Sequence, residues 1–315
     1  FMAFVLASFV LAPWLGENFF PSVDAGQILM HVRAQSGTRI EETARLCDEV
    51  EATVRKVIPP AELDNVVDNI GLPISGINMA YNNTGSIGPE DADVLVSLKE
   101  NHHATPGYVA ELRRRLVREF PGTTFAFLPA DIVTQVLNFG LPAPIDLQVI
   151  GPHQGQNYQY ALALQRALRT VPGLVDTRIQ QVFDYPSIKV DVSRTLAQEV
   201  GLTQHDVATS LLTTLSGSGQ TNPSFWLNPE NGVSYPVVVQ TPQYRIDTMS
   251  DLKNLPVTGP RSTQLLGALS NITRQATDGV VSHYSVQPVI DIFASVQGRD
   301  LGAVSADIHA VMARL

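Results

Sequence analysis

From Ser187 to Ser193 the chain alternates: Ile188, Val190 and Val192 are apolar, while Lys189, Asp191 and Ser193 are polar. A period of two predicts a strand with one buried face. Residues 195–200 follow as a short helix stopped by Gly201. Thr203 is then placed to cap a second helix, with Asp206 three residues on and Val207, Leu211 and Leu215 as its apolar face. Strand, short helix, glycine and capped helix speak of architecture, since none of these residues is catalytic in kind.

The same reading organises the rest of the chain. Residues 27–34 predict a strand. Thr38-Arg39-Ile40-Glu41 has the form of a capping box, and Ile40, Ala44, Cys47, Val50, Val54 and Val57 make one face of the helix behind it. Strands are expected over 62–70 and 92–98. Thr105-Pro106 reads as a cap with proline at the first helical position, and Val109, Leu112 and Leu116 form that helix's stripe. Residues 123–128 give the last strand. The order βαββαβ is the split ferredoxin-like motif.

A second set begins with a strand over 142–150 and a helix over 156–171 carrying Tyr158, Leu162, Leu168 and Val171. Then come a strand over 174–182, the alternating stretch with its helices, and a closing strand over 289–296 with a helix opening at Asp300-Leu301. Proline halts helices at Pro59, Pro121 and Pro172, each just before a strand. Residues 216–287 read as an insertion in which Asn228-Pro229-Glu230-Asn231-Gly232 is a hairpin signal. The expected fold class is α+β: two tandem ferredoxin-like βαββαβ subdomains, the second interrupted by an α+β subdomain. Its boundaries fall at 1–22 (linker), 23–139, 140–215 with 288–315, and 216–287.

Composition adds limits. The chain has 315 residues, 44% hydrophobic and 16% charged, and a formal net charge of -9. Acidic balance argues against a nucleic-acid surface or a polybasic membrane patch. Residues 1–15 are apolar without a charge, yet shorter than the ~20 residues that span a bilayer. They read as the tail of a membrane helix, so the chain is expected to be part of something longer. The single cysteine, Cys47, lies on a helix's apolar stripe and reads as a small core residue.

No catalytic constellation emerges. None of the seven histidines has helical spacing to another ligand, and the adjacent His102 and His103 point apart. Glu90, Asp91 and Asp93 read as a solvated acidic turn. Gly217-x-Gly219 follows a helix, which fails the context of a phosphate loop and suits a hinge. Residues 71–89 are rich in Gly, Asn, Ser and Pro, yet hold Leu72, Ile74, Ile77, Met79 and Tyr81. They read either as a loop offering apolar contacts to a ligand or neighbour, or as one folded over its own core. No enzyme, cofactor or resident metal is expected.

Ile188-Lys189-Val190-Asp191-Val192, Ala197, Val200-Gly201-Leu202-Thr203 and Asp206-Val207 together resemble the porter signature of RND-type efflux pumps, hydrophobe/amphiphile branch. Residues 17–27 resemble the exit from the seventh membrane helix of that family. The resemblance covers residues 19–315 and implies the second periplasmic loop, with two porter subdomains and a docking subdomain. It implies a homotrimer in the bacterial inner membrane, this portion periplasmic, working with a periplasmic adaptor and an outer-membrane channel. It further implies that the intact pump is proton-driven and exports small molecules by alternating access through a cleft between the porter subdomains.

Carried onto this sequence, the resemblance places Phe125, Phe127 and Leu95 on cleft strands and Arg178 at the cleft entrance. Leu72, Ile74, Ile77 and Met79 fall on the switch loop, and Phe225 and Trp226 on the docking subdomain. Aliphatic residues stand where drug pumps commonly have aromatics. The metal-exporting branch uses methionine clusters, for which Met30 and Met79 are the only methionines in the porter strands and loop. Two other readings stay open: a copper or silver exporter of the same family, and a free-standing periplasmic ligand-binding or sensor module.

Overall fold

The computed structural model describes residues 16, 18, 24–73, 82, 84–138 and 140–315. The apolar stretch 1–15, Ile74, Ile77 and Met79 therefore lie outside the described residues. Among the described residues no helix is long and apolar enough to cross a membrane.

The first module is built from β1 (Gln27–Arg33), α1 (Ile40–Val57), β2 (Leu63–Ile70), β3 (Asp91–Leu98), α2 (Thr105–Glu119) and β4 (Thr124–Leu128). Its antiparallel sheet runs β2-β3-β1-β4, the order that follows when each βαβ crossover skips one strand position. Alternation sorts the strands into two faces. Ile28, Met30 and Val32 of β1, Ala92, Val94 and Val96 of β3, and Phe125 and Phe127 of β4 meet Cys47, Val50, Val54, Leu112 and Leu116 of the helices in one core. Burial pushes the Cys47 thiol up to about 12, as suits an inert core residue.

Both helix starts of this module differ from expectation. The N-cap of α1 is Arg39, and the Thr38 hydroxyl instead donates to the Gln35 carbonyl at 2.7 Å. The first turn of α2 takes its acceptor from a distance: the Asp24 carboxylate receives the Thr105 amide at 2.9 Å and the Thr105 hydroxyl. A hydroxyl near a helix start competes for several partners, and sequence spacing alone does not choose among them.

After α3 (Ile132–Leu137), the second module contributes β5 (Ile145–Ile150), α4 (Gln154–Leu168) and β6 (Leu174–Ile179). Residues 186–276 intervene before β13 (Ser282–Tyr284), β14 (Gln287–Val296) and α9 (Leu301–Met312) complete it. β14 lies between β5 and β6, with β13 extending the β6 side. The core joins Ile145, Leu164, Leu168, Ile290, Ile292, Val304 and Ile308. Among the described residues no strand pairs with the far edge of β5, the position β4 takes in the first module. The fold is thus the expected α+β arrangement of two ferredoxin-like modules, the second interrupted.

The interruption is earlier than the sequence suggested. Contacts divide the chain into one unit of residues 1–185 with 277–315, and a second of Pro186–Ala276. In the second unit the alternating strand, β7 (Tyr185–Val192), pairs with β12 (Ser270–Thr277) rather than with the second module's sheet. Val190, Val192, Ala197, Leu202 and Val207 pack with Leu252, Leu255, Leu266 and Ile272. The stretch expected to supply the second module's third strand and helix therefore belongs to the insertion's own core, and β14 is the third strand.

α5 (Arg194–Glu199) ends at Gly201, whose φ of +75° is open to glycine. Thr203 and Asp206 form the expected capping box of α6 (Gln204–Ser216). β8 (Ser224–Leu227) and β9 (Ser234–Val237) form the expected hairpin. Phe225 and Trp226 are 68% and 52% exposed, so they are surface residues.

Candidate functional site

In the first module the helices cover one face of the sheet, and register fixes what stands on the other. Val67, Leu95, Leu29 and Leu128 lie in one row across the four strands. The next row is Asn69, Asp93, His31 and Ala126. The third carries Asp91, Arg33 and Thr124. The helix-free face thus runs from an apolar stripe to a charged one.

The charged rows form a network in which one buried atom, His31 Nε2, has no hydrogen bond and lies 3.5 Å from Asp91 Oδ1. His31 Nδ1 lies 2.8 Å from Asp93 Oδ1, and Asp93 Oδ2 accepts from the Thr84 and Ser86 hydroxyls at 2.6 and 3.2 Å. Arg33 donates Nε to Asp91 Oδ1 at 2.6 Å and Nη2 to Asp91 Oδ2 at 3.3 Å. Its other donors reach the carbonyls of Gln180 and Gly85 at 3.1 and 2.9 Å. The Ile87 amide also donates to Asp91. Burial opposes ionisation of Asp91, but His31 and Arg33 outweigh it and hold the carboxyl down at about 2. Beside it Glu90 is 1% exposed, with neither oxygen bonded, and burial pushes its carboxyl up.

This corrects the solvated acidic turn expected at Glu90, Asp91 and Asp93. All three are buried. A signal was available: Leu29, His31 and Arg33 alternate with apolar residues on one strand, and Asp91, Asp93 and Leu95 do so on another. Basic and acidic residues at the same two-residue spacing are what paired strands present to each other.

The second module meets the first along β4 and β6. Asp176 on β6 adopts a left-handed φ of 55°, beside the register shift between Phe293 and Ser295. Its carboxylate accepts Arg113 Nε and Nη2 at 2.7 Å each, a bidentate pair, and the Phe127 amide at 3.0 Å. Arg113 also bonds Gln297 and lies 4.8 Å from the Phe127 ring centroid. The Ser295 hydroxyl donates to the Phe127 carbonyl at 3.4 Å.

Between the modules a cavity of about 260 Å³ is bounded by His31, Arg33 and Thr124 on one side and by Tyr158, Arg178 and Phe183 among others on the second. The Tyr158 and Phe183 rings meet at a tilt of 53°, with centroids 4.4 Å apart. Arg178 is 4% exposed, and its guanidinium lies 5.3 Å from the Phe293 ring centroid.

Of the expected site residues, the structure brings Arg178 to this cavity and sets Leu95 on the helix-free face, two residues along β3 from Asp93. Leu72 is exposed just beyond β2. Phe125 and Phe127 do share one side, but it is the side packed against the helices: they are 6% and 7% exposed, inside the first module's core. Ala126 and Leu128 take the helix-free face instead. Thr124-Phe125-Ala126-Phe127-Leu128 is apolar on both faces after Thr124, so alternation alone could not say which side meets the helices. Met30 is also core, at 1% exposure. Among the described residues no three His, Cys, Asp or Glu side chains gather as a metal site.

The profile of the AcrB/AcrD/AcrF family matches residues 1–315, the whole chain. The chain belongs to that family, the RND efflux transporters. Curated relatives include Protein HelA of Legionella pneumophila, 24% identical over 96% of this chain and 28% of HelA. The putative cation efflux system protein SilA of Salmonella typhimurium is 23% identical over 95% of this chain and 28% of its own length. Cation efflux system protein CusA of Escherichia coli K12 is 22% identical over 95% and 28% respectively. A crystal structure of a heavy metal efflux pump superposes with a TM-score of 0.82 at 21% identity, covering 99% of this chain and 32% of that one. At that identity the likeness shows the fold. The chain spans about 28% of the length of these curated relatives.

Proposed function

We propose that this chain is the periplasmic substrate-handling portion of a proton-driven RND exporter anchored in the inner membrane by other parts of the polypeptide. The observation that carries the reading is the cavity between two ferredoxin-like modules, lined by an aromatic pair and buried charged groups. Such a site needs concavity and a few fixed polar groups. In alternating access the modules separate and close on cargo, which passes on toward an outer-membrane channel; a homotrimer and a periplasmic adaptor complete the assembly. Family membership over the whole chain favours this over a free-standing sensor module. The exposed Phe225 and Trp226 hairpin suits docking to the channel, since exposed aromatic pairs anchor interfaces.

Two cargo classes compete. The similarity to SilA, CusA and a heavy metal efflux pump favours a metal cation. The chain's own chemistry favours a small organic molecule: Met30 is in the core, and the buried charge without a partner at the cavity is a guanidinium. A strain lacking the gene, tested against copper, silver, zinc, cobalt and cadmium salts and an organic panel, decides between them. We expect sensitivity to organic compounds. Sensitivity confined to metal salts replaces that cargo class with the cationic one, and no change in any sensitivity sinks the exporter reading.

A further inference from the structure

We propose that Glu90 is a proton-binding site at the junction of the two modules, and that closing the junction takes up the proton. Proton linkage stands on the junction alone; only its consequence for transport rests on reading the cavity as part of the export route. Glu90 immediately precedes β3 and is 1% exposed. Its main chain is pinned, because its carbonyl accepts the Ala34 amide at 2.9 Å. Its side chain folds back over Gly88: Oε2 lies 2.6 Å from the position that a Cβ on Gly88 would take, and the Tyr185 hydroxyl oxygen lies 2.8 Å from the same position. Tyr185 Cδ2 and Ile87 Cγ2 stand 3.2 and 3.3 Å from where a Cβ on Gly279 would be, on the approach to β13. The carboxyl is thus shut in where residues 87–90 of the first module meet Tyr185 of the second.

The cations of this cluster are committed elsewhere. Arg33 directs its donors to Asp91 and to the carbonyls of Gln180 and Gly85, and His31 faces Asp93 and Asp91. Both Glu90 oxygens are buried, and neither has a hydrogen-bond partner. The groups that face this carboxyl are Arg33 from β1, Asp91 on β3 and the Tyr185 phenol. An ionised carboxylate so enclosed lacks both water and a donor, whereas the neutral acid loses far less on leaving water. Burial pushes the Glu90 carboxyl up and the Asp91 charge adds to it; its own amide and Arg33 pull the other way, the amide without hydrogen-bond geometry. Burial and the charges of Glu90 and Asp91 push the Tyr185 phenol up as well, so Tyr185 is a neutral wall and Glu90 is the group that titrates. When Tyr185 draws away, water reaches the carboxyl and its pKa falls back. The closed junction therefore binds the proton more tightly than the open one. Acid favours closing, and the closed form is lost as pH rises through its own raised pKa.

The test is a distance measurement on the full-length transporter. Asp48→Cys and Gln159→Cys place spin labels on exposed helix positions, one in each module, with other reactive cysteines replaced; Cys47 is buried and takes no label. Double electron–electron resonance is recorded from pH ~5 to pH ~8, with Glu90 intact and with Glu90→Gln. With Glu90 intact we expect the short-distance population to fall at least about twofold over that range. Glu90→Gln, neutral and of the same shape, should hold that population at every pH. Distances that ignore pH, or a shift that survives Glu90→Gln, overturn the proton site. A shift that appears at fixed pH when potassium replaces choline assigns the site to a metal cation and overturns it too. Glu90→Met carries the same expectation as the amide and keeps the test standing if the amide disturbs folding. Infrared difference spectra give a second readout: a protonated-carboxyl band at low pH that Glu90→Gln removes, and whose persistence in that variant overturns the assignment. In cells, Glu90→Gln should flatten the pH dependence of export. An unchanged pH dependence removes the consequence for transport and leaves the proton site; no export by wild type sinks the exporter reading alone.

Discussion

Arg33 and Arg178 stand on helix-free sheet faces of neighbouring modules and line the same cavity, yet their surroundings differ in kind. Arg33 sits in a row where strand pairing sets an acid directly opposite it, and the chain supplies acceptors for its donors. Arg178 is opposite Phe293, and the next residue across the sheet, Asp146, belongs to the far strand. The bonds of Arg33 hold geometry, because each nitrogen of its fork is tied to an acceptor. Arg178 instead carries the cost of a buried charge whose donors are unmet. On this argument the first module is the scaffold of the site, and the second carries the unmet charge.

The largest expected effect breaks the scaffold. Asp91→Asn leaves Arg33, whose side chain is 12% exposed, without its counter-charge and should cost about 3–5 kcal/mol, read as a fall in the urea midpoint. The pH dependence has a definite sign. The folded carboxyl is depressed to about 2 from 3.8, so its contribution is present above pH ~4 and is lost as pH falls through about 2. Wild type should lose stability across that window while Asp91→Asn shows a flatter curve. Equal stability of the two proteins at pH 7 would mean that the network is not the scaffold.

A comparable loss is expected at Phe127, for a different reason. Phe127→Ala empties a core position and should cost about 3–5 kcal/mol, so any export defect follows from folding. Leu95→Ala, on the helix-free face, should cost less, about 1–2 kcal/mol by its smaller loss of burial, and alter export beyond its effect on abundance. Comparing transport per folded molecule, by efflux normalised to protein in the membrane, distinguishes these. If Phe127→Ala is as stable as wild type yet fails to export, the ring faces cargo and the face assignment is inverted.

These two positions also mark what could be read from the chain. The modules, the hairpin and the Thr203 cap were legible because each is local: a period, a turn residue, a spacing of three. Pairing partners were not. The β7 strand was predicted correctly as a strand but assigned to the wrong sheet, because alternation says that a face is buried and not against what. The same limit put Phe125 and Phe127 on the wrong side and Glu90, Asp91 and Asp93 in solvent. Arg178 reached its position through the family resemblance, and nothing in its neighbours' sequence announced that its donors lack acceptors; that is a property of three-dimensional surroundings.

Arg178→Met should move stability the other way. Removing a buried unpaired charge is neutral or stabilising, here by about 1–2 kcal/mol, seen as a higher melting temperature without cargo. Loss of more than about 1 kcal/mol would mean that the guanidinium has partners in the folded protein, and the contrast with Arg33 would fail.

The smallest effect tests the second module's own acids. Asp146 and Asp291 share its helix-free face, and Asp146 Oδ1 has no hydrogen-bond partner. Burial, with repulsion from Asp291, raises the Asp146 carboxyl from 3.8 to about 6. The native protein therefore binds this proton more tightly than the unfolded chain does, so the group's cost to folding is absent below pH ~4 and grows as pH rises through about 6. Asp146→Asn should raise the melting temperature by roughly 2–4 °C at pH 7.5, for a change near 1 kcal/mol, and change it little at pH 4. A gain that persists undiminished at pH 4 would show that asparagine acts through packing or a new hydrogen bond. Loss of the gain at pH 7.5 would mean that Asp146 finds a cation or a solvated outlet there, and the second module's face would no longer be the one with unmet charge.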